Sequence, residues 1–361
     1  MSNEFTYAEA GVDRKLRAES KAALQTLKQT YKLGRYGSII QLPYGNIFPV
    51  SSGYFDFVIE GIGTKVLLAQ LADKYDTIGI DGVAMAVNDV IRSGAKPLAL
   101  VDNIHAQVSD PHLIGEWMKG IVSGAQEAEC IVPSGEIGDV AEIIQGITEG
   151  KGFDMTFACV GDLSKDDIIF GTNIESGDVV IGLRSSGIHS NGISLARKVL
   201  FKRWGGWYEP YDIPNTLERE LITEVLEPTK IYVKPILKAA KEYKLKGLVH
   251  ITGDAYLKFN RLMRFSKGIG FEFDNFKPQP IFNLIQETAK KTRGVISDDE
   301  MLRTFNMGWG FAVVVGKTER DDLIGCLEDN GAKADQIGKV TKTGRIIVLY
   351  KGEKIPLHEG I

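Results

Sequence analysis

Cysteine is scarce and scattered. Cys130, Cys159 and Cys326 are the only three in 361 residues. Without CxxC spacing or an even count, they exclude a cysteine metal site and a disulfide framework. A reducing, cytoplasmic setting is the expectation. No apolar run approaches the ~20 residues that span a bilayer. The opening MSNEFTYAEAGVD lacks the basic-then-apolar order of an export signal. No membrane association is expected. Neither sign of charge dominates: 43 basic against 47 acidic residues leave a formal net charge of −4. That removes the electrostatic case for a nucleic-acid partner. Internal repeats and low-complexity tracts are also missing, which excludes a solenoid.

What the chain does have is length and glycine. A length of 361 residues exceeds one ordinary core and predicts two domains. Forty glycines point to tight turns and to close approaches of backbone to ligand. Strands and helices alternate to about Leu163, and the polar link SKDDIIFGTNIESGD (164–178) follows. The expected division is 1–165 and 166–361, with mixed α/β and α+β character. Arg14–Lys32 reads as an amphipathic helix with Leu16, Ala23, Leu24, Leu27 and Tyr31 on its apolar side.

The stretch Gly79–Asp102 reads as the end of a strand, a helix capped at Asp81, a turn and a second strand. The helix is apolar around most of its circumference and so is expected to be buried. Yet Asp81, Met85, Asn88, Asp89 and Arg92 share one face. A buried carboxylate needs a cation, a donor or a metal. For Asp89, a structural ion pair with Arg92 and a functional metal ligand stand as alternatives.

Glycine-rich loops recur beyond strand ends. EGIGTK (60–65) brings Glu60, the backbone N–H groups of Gly61 and Gly63, Thr64 and Lys65 to a helix start, a sensible phosphate site. It does not fit the P-loop pattern. PSGEIGD (133–139) reads as a glycine turn offering Glu136 and Asp139 to Mg²⁺, or simply as a solvated turn. SSGIHSNG (185–192) supplies Ser186, Gly187, His189, Ser190 and Asn191 before a helix, donors that suit an anion. His189 is expected to titrate near neutrality. HITGD (250–254) adds Thr252 and Asp254, and FNMGWG (305–310) precedes an apolar strand. Together the loops suggest a nucleotide and a second phosphorylated ligand.

At these residues the chain resembles the aminoimidazole ribonucleotide synthetase (phosphoribosylformylglycinamidine cyclo-ligase) family. The matching pieces run in family order: TYAEAGVD (6–13), GIGTK (61–65), residues 77–102, residues 177–200, EPTKIYVKPIL (227–237), HITG (250–253) and TFNMGWG (304–310). The resemblance implies that ATP activates the formyl oxygen of formylglycinamidine ribonucleotide. An internal amine then closes the imidazole ring, with release of ADP and phosphate. It also implies Mg²⁺ and a homodimer whose N-terminal sheets pair into a barrel, each followed by a C-terminal α/β domain. By motif, Asp89, Glu60 and Glu136 are the implied metal ligands. Glu60, Gly61, Gly63, Thr64, Lys65, Asp89, Asp102 and Glu136 would hold the nucleotide. Ser186, Gly187, His189, Ser190, Asn191, Thr252 and Asp254 would face the substrate. His189, Lys65 and Asp89 are the implied catalytic residues, and the Gly-containing 33–46 segment is the expected lid. Glu60 stands where the family writes Asp, Asp139 where it writes a second Glu, and Asp254 where it writes Gly. These departures motivate the alternative of a non-catalytic or differently specific paralogue.

Overall fold

The structure, a computed structural model, describes residues 4–358. The first sheet is built from β1 (Ile40–Leu42), β2 (Gly45–Val50), β3 (Gly53–Gly61), β4 (Lys96–Ala106), β5 (Ile131–Asp139) and β6 (Phe153–Leu163). Its spatial order is β1-β2-β3-β6-β4-β5, antiparallel except between β4 and β5. In β6, Phe153, Met155, Phe157 and Cys159 are buried while the residues between them are half-exposed. That period of two places one face of the sheet on a helical layer.

Helices α1 (Arg14–Lys21), α2 (Val66–Ala72), α3 (Ile78–Val90) and α4 (Pro111–Glu127) accompany this sheet. As expected, α3 is buried almost throughout. It begins a turn earlier than the sequence suggested, with Thr77 at the N-cap position. Ile78–Ile80 are therefore helix rather than strand, and Asp81 lies inside the first turn instead of capping it. Gly79 faces Gly120 of α4, so the two helix backbones touch directly. The expected amphipathic helix breaks after Lys21 into 3₁₀ turns over Ala22–Leu33. Leu16, Leu24 and Leu27 stay exposed there. Without an apolar surface opposite them, the packing that stabilises a long helix is missing.

The second sheet contains β7 (Val179–Arg184), β8 (Gly247–His250), β9 (Gly270–Phe273), β10 (Trp309–Val315), β11 (Ala334–Thr341), β12 (Ile346–Tyr350) and β13 (Glu353–His358). The order is β13-β12-β9-β11-β7-β10-β8, and only the β9–β12 pair is parallel. The continuous apolar runs of β7 and β10 are central and buried. Helices α5 (Ile193–Leu200), α6 (Leu221–Val225), α7 (Val233–Glu242), α8 (Phe259–Phe265), α9 (Pro280–Thr292), α10 (Asp298–Thr304) and α11 (Arg320–Asp329) lie between these strands in the chain. Neither sheet closes into a barrel within one chain: β1 and β5 are free edges of the first. The start of the chain packs on the second unit: Phe5 N–H donates to Val295 O and Tyr7 N–H to Glu300 Oε1.

The α3–α4 contact yields a test. A Cβ on Gly79 would lie 2.6 Å from the Trp117 carbonyl oxygen and 2.7 Å from the Gly120 carbonyl carbon. Gly79→Ala is expected to cost about 1–3 kcal/mol. Gly115→Ala on α4, where nothing lies within 4 Å, should be neutral or stabilising. Urea unfolding of both variants measures the difference.

Candidate active site at the seam between the sheets

The polar face of α3 meets the second unit. Lys65 Nζ lies 2.8 Å from Asp81 Oδ2, and both side chains are fully buried. Asp81 Oδ1 also accepts from Thr229 N–H at 2.8 Å and Ser190 Oγ at 3.1 Å. Two turns further on, Asn88 donates to Lys230 O and accepts from Tyr232 N–H, each at 2.8 Å. Asp89 then meets Arg92 Nη2 at 2.7 Å and His250 Nδ1 at 2.8 Å. Every polar residue of this face is thus partnered. Two expectations change here. Asp81 is the centre of a buried ion pair. Lys65 is the partner in that pair, as a buried carboxylate needs a cation beside it.

Asp89 sits among charged neighbours. Burial acts to raise its pKa, but the Arg92 guanidinium and the His250 hydrogen bond outweigh it and hold the carboxyl well below the usual range. Glu60, on the adjacent strand β3, is pushed up to about 7 by burial and by the charge of Asp89. Two carboxyl groups facing each other in a low dielectric oppose joint ionisation, and a cation would relieve this. Lys258 completes the cluster. Burial lowers its ammonium to about 8 against the pull of Asp89, and it donates to His250 O and Thr252 Oγ1. Burial also lowers His250 to about 4. The ring is therefore neutral, and its Nδ1–H donates to Asp89. Asp56, two residues before Val58 on the same face of β3 as Glu60, is pushed up to about 6 by burial.

The loops converge as well. Thr64 Oγ1 lies 2.9 Å from Ser194 Oγ, joining EGIGTK to α5. Asn306 Nδ2 donates to Gly187 O at 2.8 Å and Ile188 O at 3.2 Å, joining FNMGWG to SSGIHSNG. A Cβ on Gly253 would come 3.2 Å from Asn191 Oδ1, so HITGD lies alongside. Asp254 accepts from Arg17 at 2.8 Å. His189 takes φ +65, the left-handed region, and is buried. Its Nε2 accepts from Ser186 N–H at 3.2 Å, which leaves the proton on Nδ1, and Nδ1 has no partner among the described residues. Burial drives its pKa well below the ordinary value. The expected titration near neutrality is therefore corrected: His189 is a neutral donor.

Glu136 is not part of this cluster. PSGEIGD is not a turn; it continues β5. In register, Glu60 pairs with Phe157, Phe157 with Asp102, and Asp102 with Gly135. These four share the face that α3 covers. Glu136, one residue on, projects from the opposite face. Asp102 is buried in the same row as Glu60 but two strands away. Among the described residues, no group of three or more His, Cys, Asp or Glu is close enough to hold a metal. Of the expected set Asp89, Glu60 and Glu136, only Asp89 and Glu60 lie together. Reading the sequence missed Lys258, Arg14 and Arg17. Arg14 and Arg17 approach Asp254 from the N-terminal segment. For Lys258 no local signal was available, since its acid neighbours lie far earlier in the chain.

Two sheets joined through such loops define a known class of fold. The structure superposes on the crystal structure of E. coli HypE with a TM-score of 0.61 at 16% identity, covering 85% of this chain and 86% of that one. It superposes on T. maritima PurL complexed with ATP with a TM-score of 0.56 at 13% identity, covering 90% of this chain and 46% of that one. The sequence is more specific. The AIR synthase related protein N-terminal domain matches residues 51–162, and the C-terminal domain of the same family matches 175–351. The chain belongs to the AIR synthase related family. It is 40% identical over 347 residues to phosphoribosylformylglycinamidine cyclo-ligase of Bacillus cytotoxicus, covering 93% of this chain and 95% of that protein. The cyclo-ligase of Pyrococcus horikoshii is 38% identical over 344 residues, covering 94% and 96%.

Glu60 predicts a pH signature in the metal-free protein. Its folded pKa of about 7 lies above its ordinary 4.5. Its contribution to stability is complete below about pH 4.5 and is lost as pH rises through about 7. Glu60→Gln should flatten this part of the Tm–pH curve. A curve that keeps its slope would show that Glu60 does not carry it.

Proposed function

We propose that this chain catalyses the ATP-dependent cyclisation of formylglycinamidine ribonucleotide to aminoimidazole ribonucleotide, releasing ADP and phosphate. One observation carries the reading beyond family membership. The loops that the resemblance assigns to nucleotide and to substrate meet at one seam, with an acid pair at its centre.

Glu60 and Asp89 fit Mg²⁺, a hard cation that takes carboxylate oxygens and keeps several waters. Bound there with ATP, it would neutralise the acid pair and polarise phosphate oxygens. Arg92 and His250 fix the Asp89 carboxylate. Lys258 and Arg92 place positive charge beside the pair, as a polyphosphate requires. On the substrate side, the Nδ1–H of His189 and the Nδ2 of Asn191 have no partner among the described residues and suit phosphate or amide oxygens. Gly61, Gly63 and Thr64 lead into the α2 side of the same seam.

A homodimer belongs to this proposal. Ile59, Phe57 and Ile131 are 68%, 60% and 66% exposed. By register they lie on the face of the first sheet away from α3. Apolar side chains aligned on an open sheet favour burial against a second copy.

The decisive measurement is ADP release with and without formylglycinamidine ribonucleotide. Release should be strongly stimulated by it and require Mg²⁺; an unstimulated rate would favour the non-catalytic reading. Ile59→Asp should shift sedimentation from dimer toward monomer.

A further inference from the structure

The motif EPTKIY (227–232) has no place in the chemistry above, yet it bonds to Lys65, to α3 and to the SSGIHSNG loop. Glu227 O accepts from Lys65 Nζ at 2.7 Å. Pro228 O accepts from Ser186 Oγ at 2.5 Å. Thr229 donates to Asp81 Oδ1 from N–H at 2.8 Å and from Oγ1 at 2.7 Å. Lys230 O and Tyr232 N–H bind Asn88. Tyr232 Oη donates to Arg184 O at 2.9 Å, at the end of β7 where SSGIHSNG begins. The segment is a strap laid between α3 and that loop.

We propose that the buried Lys65–Asp81 pair, acting through this strap and through Ser190, holds the loop Ser185–Gly192 in its binding shape. Lys65 is then a positioning residue and not a phosphate ligand. The proposal rests on the reading that this loop binds the substrate.

Three observations carry it. First, Lys65 is fully buried and its ammonium is surrounded: both Asp81 oxygens and the Glu227 carbonyl lie within 2.9 Å. A lysine has three N–H donors, so little remains for a phosphate. Second, His189 holds a left-handed backbone, a conformation that persists for a non-glycine residue only when its surroundings over-determine it. The surroundings here are the pair and the strap: Ser190 is tied to Asp81 at 3.1 Å and Thr229 at 3.0 Å, and Ser186 to Pro228. Third, Lys65 and Asp81 belong to the first unit whereas the loop and strap belong to the second. The pair therefore sets the loop relative to the Glu60–Asp89 cluster, which lies two turns along the same helix.

The test compares wild type with Lys65→Met, Thr229→Val and Ser190→Ala. Calorimetry measures Kd for formylglycinamidine ribonucleotide and, separately, for a non-hydrolysable ATP analogue with Mg²⁺. Hydrogen exchange follows residues 185–192. Lys65→Met is expected to weaken substrate binding tenfold or more, to speed exchange of the loop, and to leave ATP-analogue affinity within twofold. Thr229→Val should do the same to a smaller degree and add nothing in the Lys65→Met background. Tenfold weaker ATP-analogue binding by Lys65→Met, with substrate affinity and loop exchange unchanged, would make Lys65 a phosphate ligand and overturn the proposal. Where Lys65→Met does not fold, unchanged substrate affinity and loop exchange in both Thr229→Val and Ser190→Ala overturn it equally. A wild-type protein that fails to bind the substrate would refute the proposed function instead. Loop exchange in the variants would still decide the role of the pair.

Discussion

The contact between α3 and the second unit is the constraint on which the rest depends. A helix buried on nearly every side carries two carboxylates and an amide, and burying them unpaired would cost several kcal/mol each. Each finds its partner outside the helix or at its end: Asp81 in Lys65, Thr229 and Ser190, Asn88 in the strap, Asp89 in Arg92 and His250. The two units therefore cannot slide along each other without stranding a buried charge. Apolar contact alone is non-directional and would not impose this register.

That register joins structure to chemistry. The same helix bears a buried ion pair at its N-terminal end and, further along, one member of an acid pair. Asp81 meets the Lys65 ammonium at 2.8 Å. At Asp89, by contrast, the facing Glu60 is left with a pKa of about 7. One carboxylate sits in a buried ion pair and the other faces a second acid. Seen this way, the alternatives posed for Asp89 are not exclusive. It forms a structural pair with Arg92 and still faces a second acid.

The converging loops show how strain is distributed. His189, Asp254, Ala255 and Met307 all take positive φ without being glycine. Three of them belong to the loops of the second unit that meet at the seam, and Ala255 directly follows one of these loops. Such conformations cost of order 1–3 kcal/mol each and need support from their surroundings. Asn306, bound to Gly187, Ile188 and Ser185, and the strap at 227–232 supply it. The neutral His189 follows from this enclosure, since a ring held away from water cannot easily be charged.

Several of these features were legible in the sequence. The buried character of α3, its polar face, the strands of β3, β4, β6, β7 and β10, and the family motifs all follow from local pattern and spacing. The sequence also singled out EGIGTK, SSGIHSNG, HITGD and FNMGWG, loops that the structure brings together. It could not decide partners. Lys65 next to a glycine loop reads as a phosphate ligand, and nothing near it in the chain shows that the fold brings Asp81 within 2.8 Å. PSGEIGD looks like a turn until pairing with β4 draws it into the sheet and turns Glu136 to the far face. Lys258 carried no local signal, because its acid neighbours lie 169 and 198 residues earlier in the chain. Residue chemistry is written locally, whereas the sign of the nearest charge and the face of a strand are set by long-range pairing. The sequence by itself determined the kinds of group available; only the tertiary structure decided which of them remain free to meet a ligand.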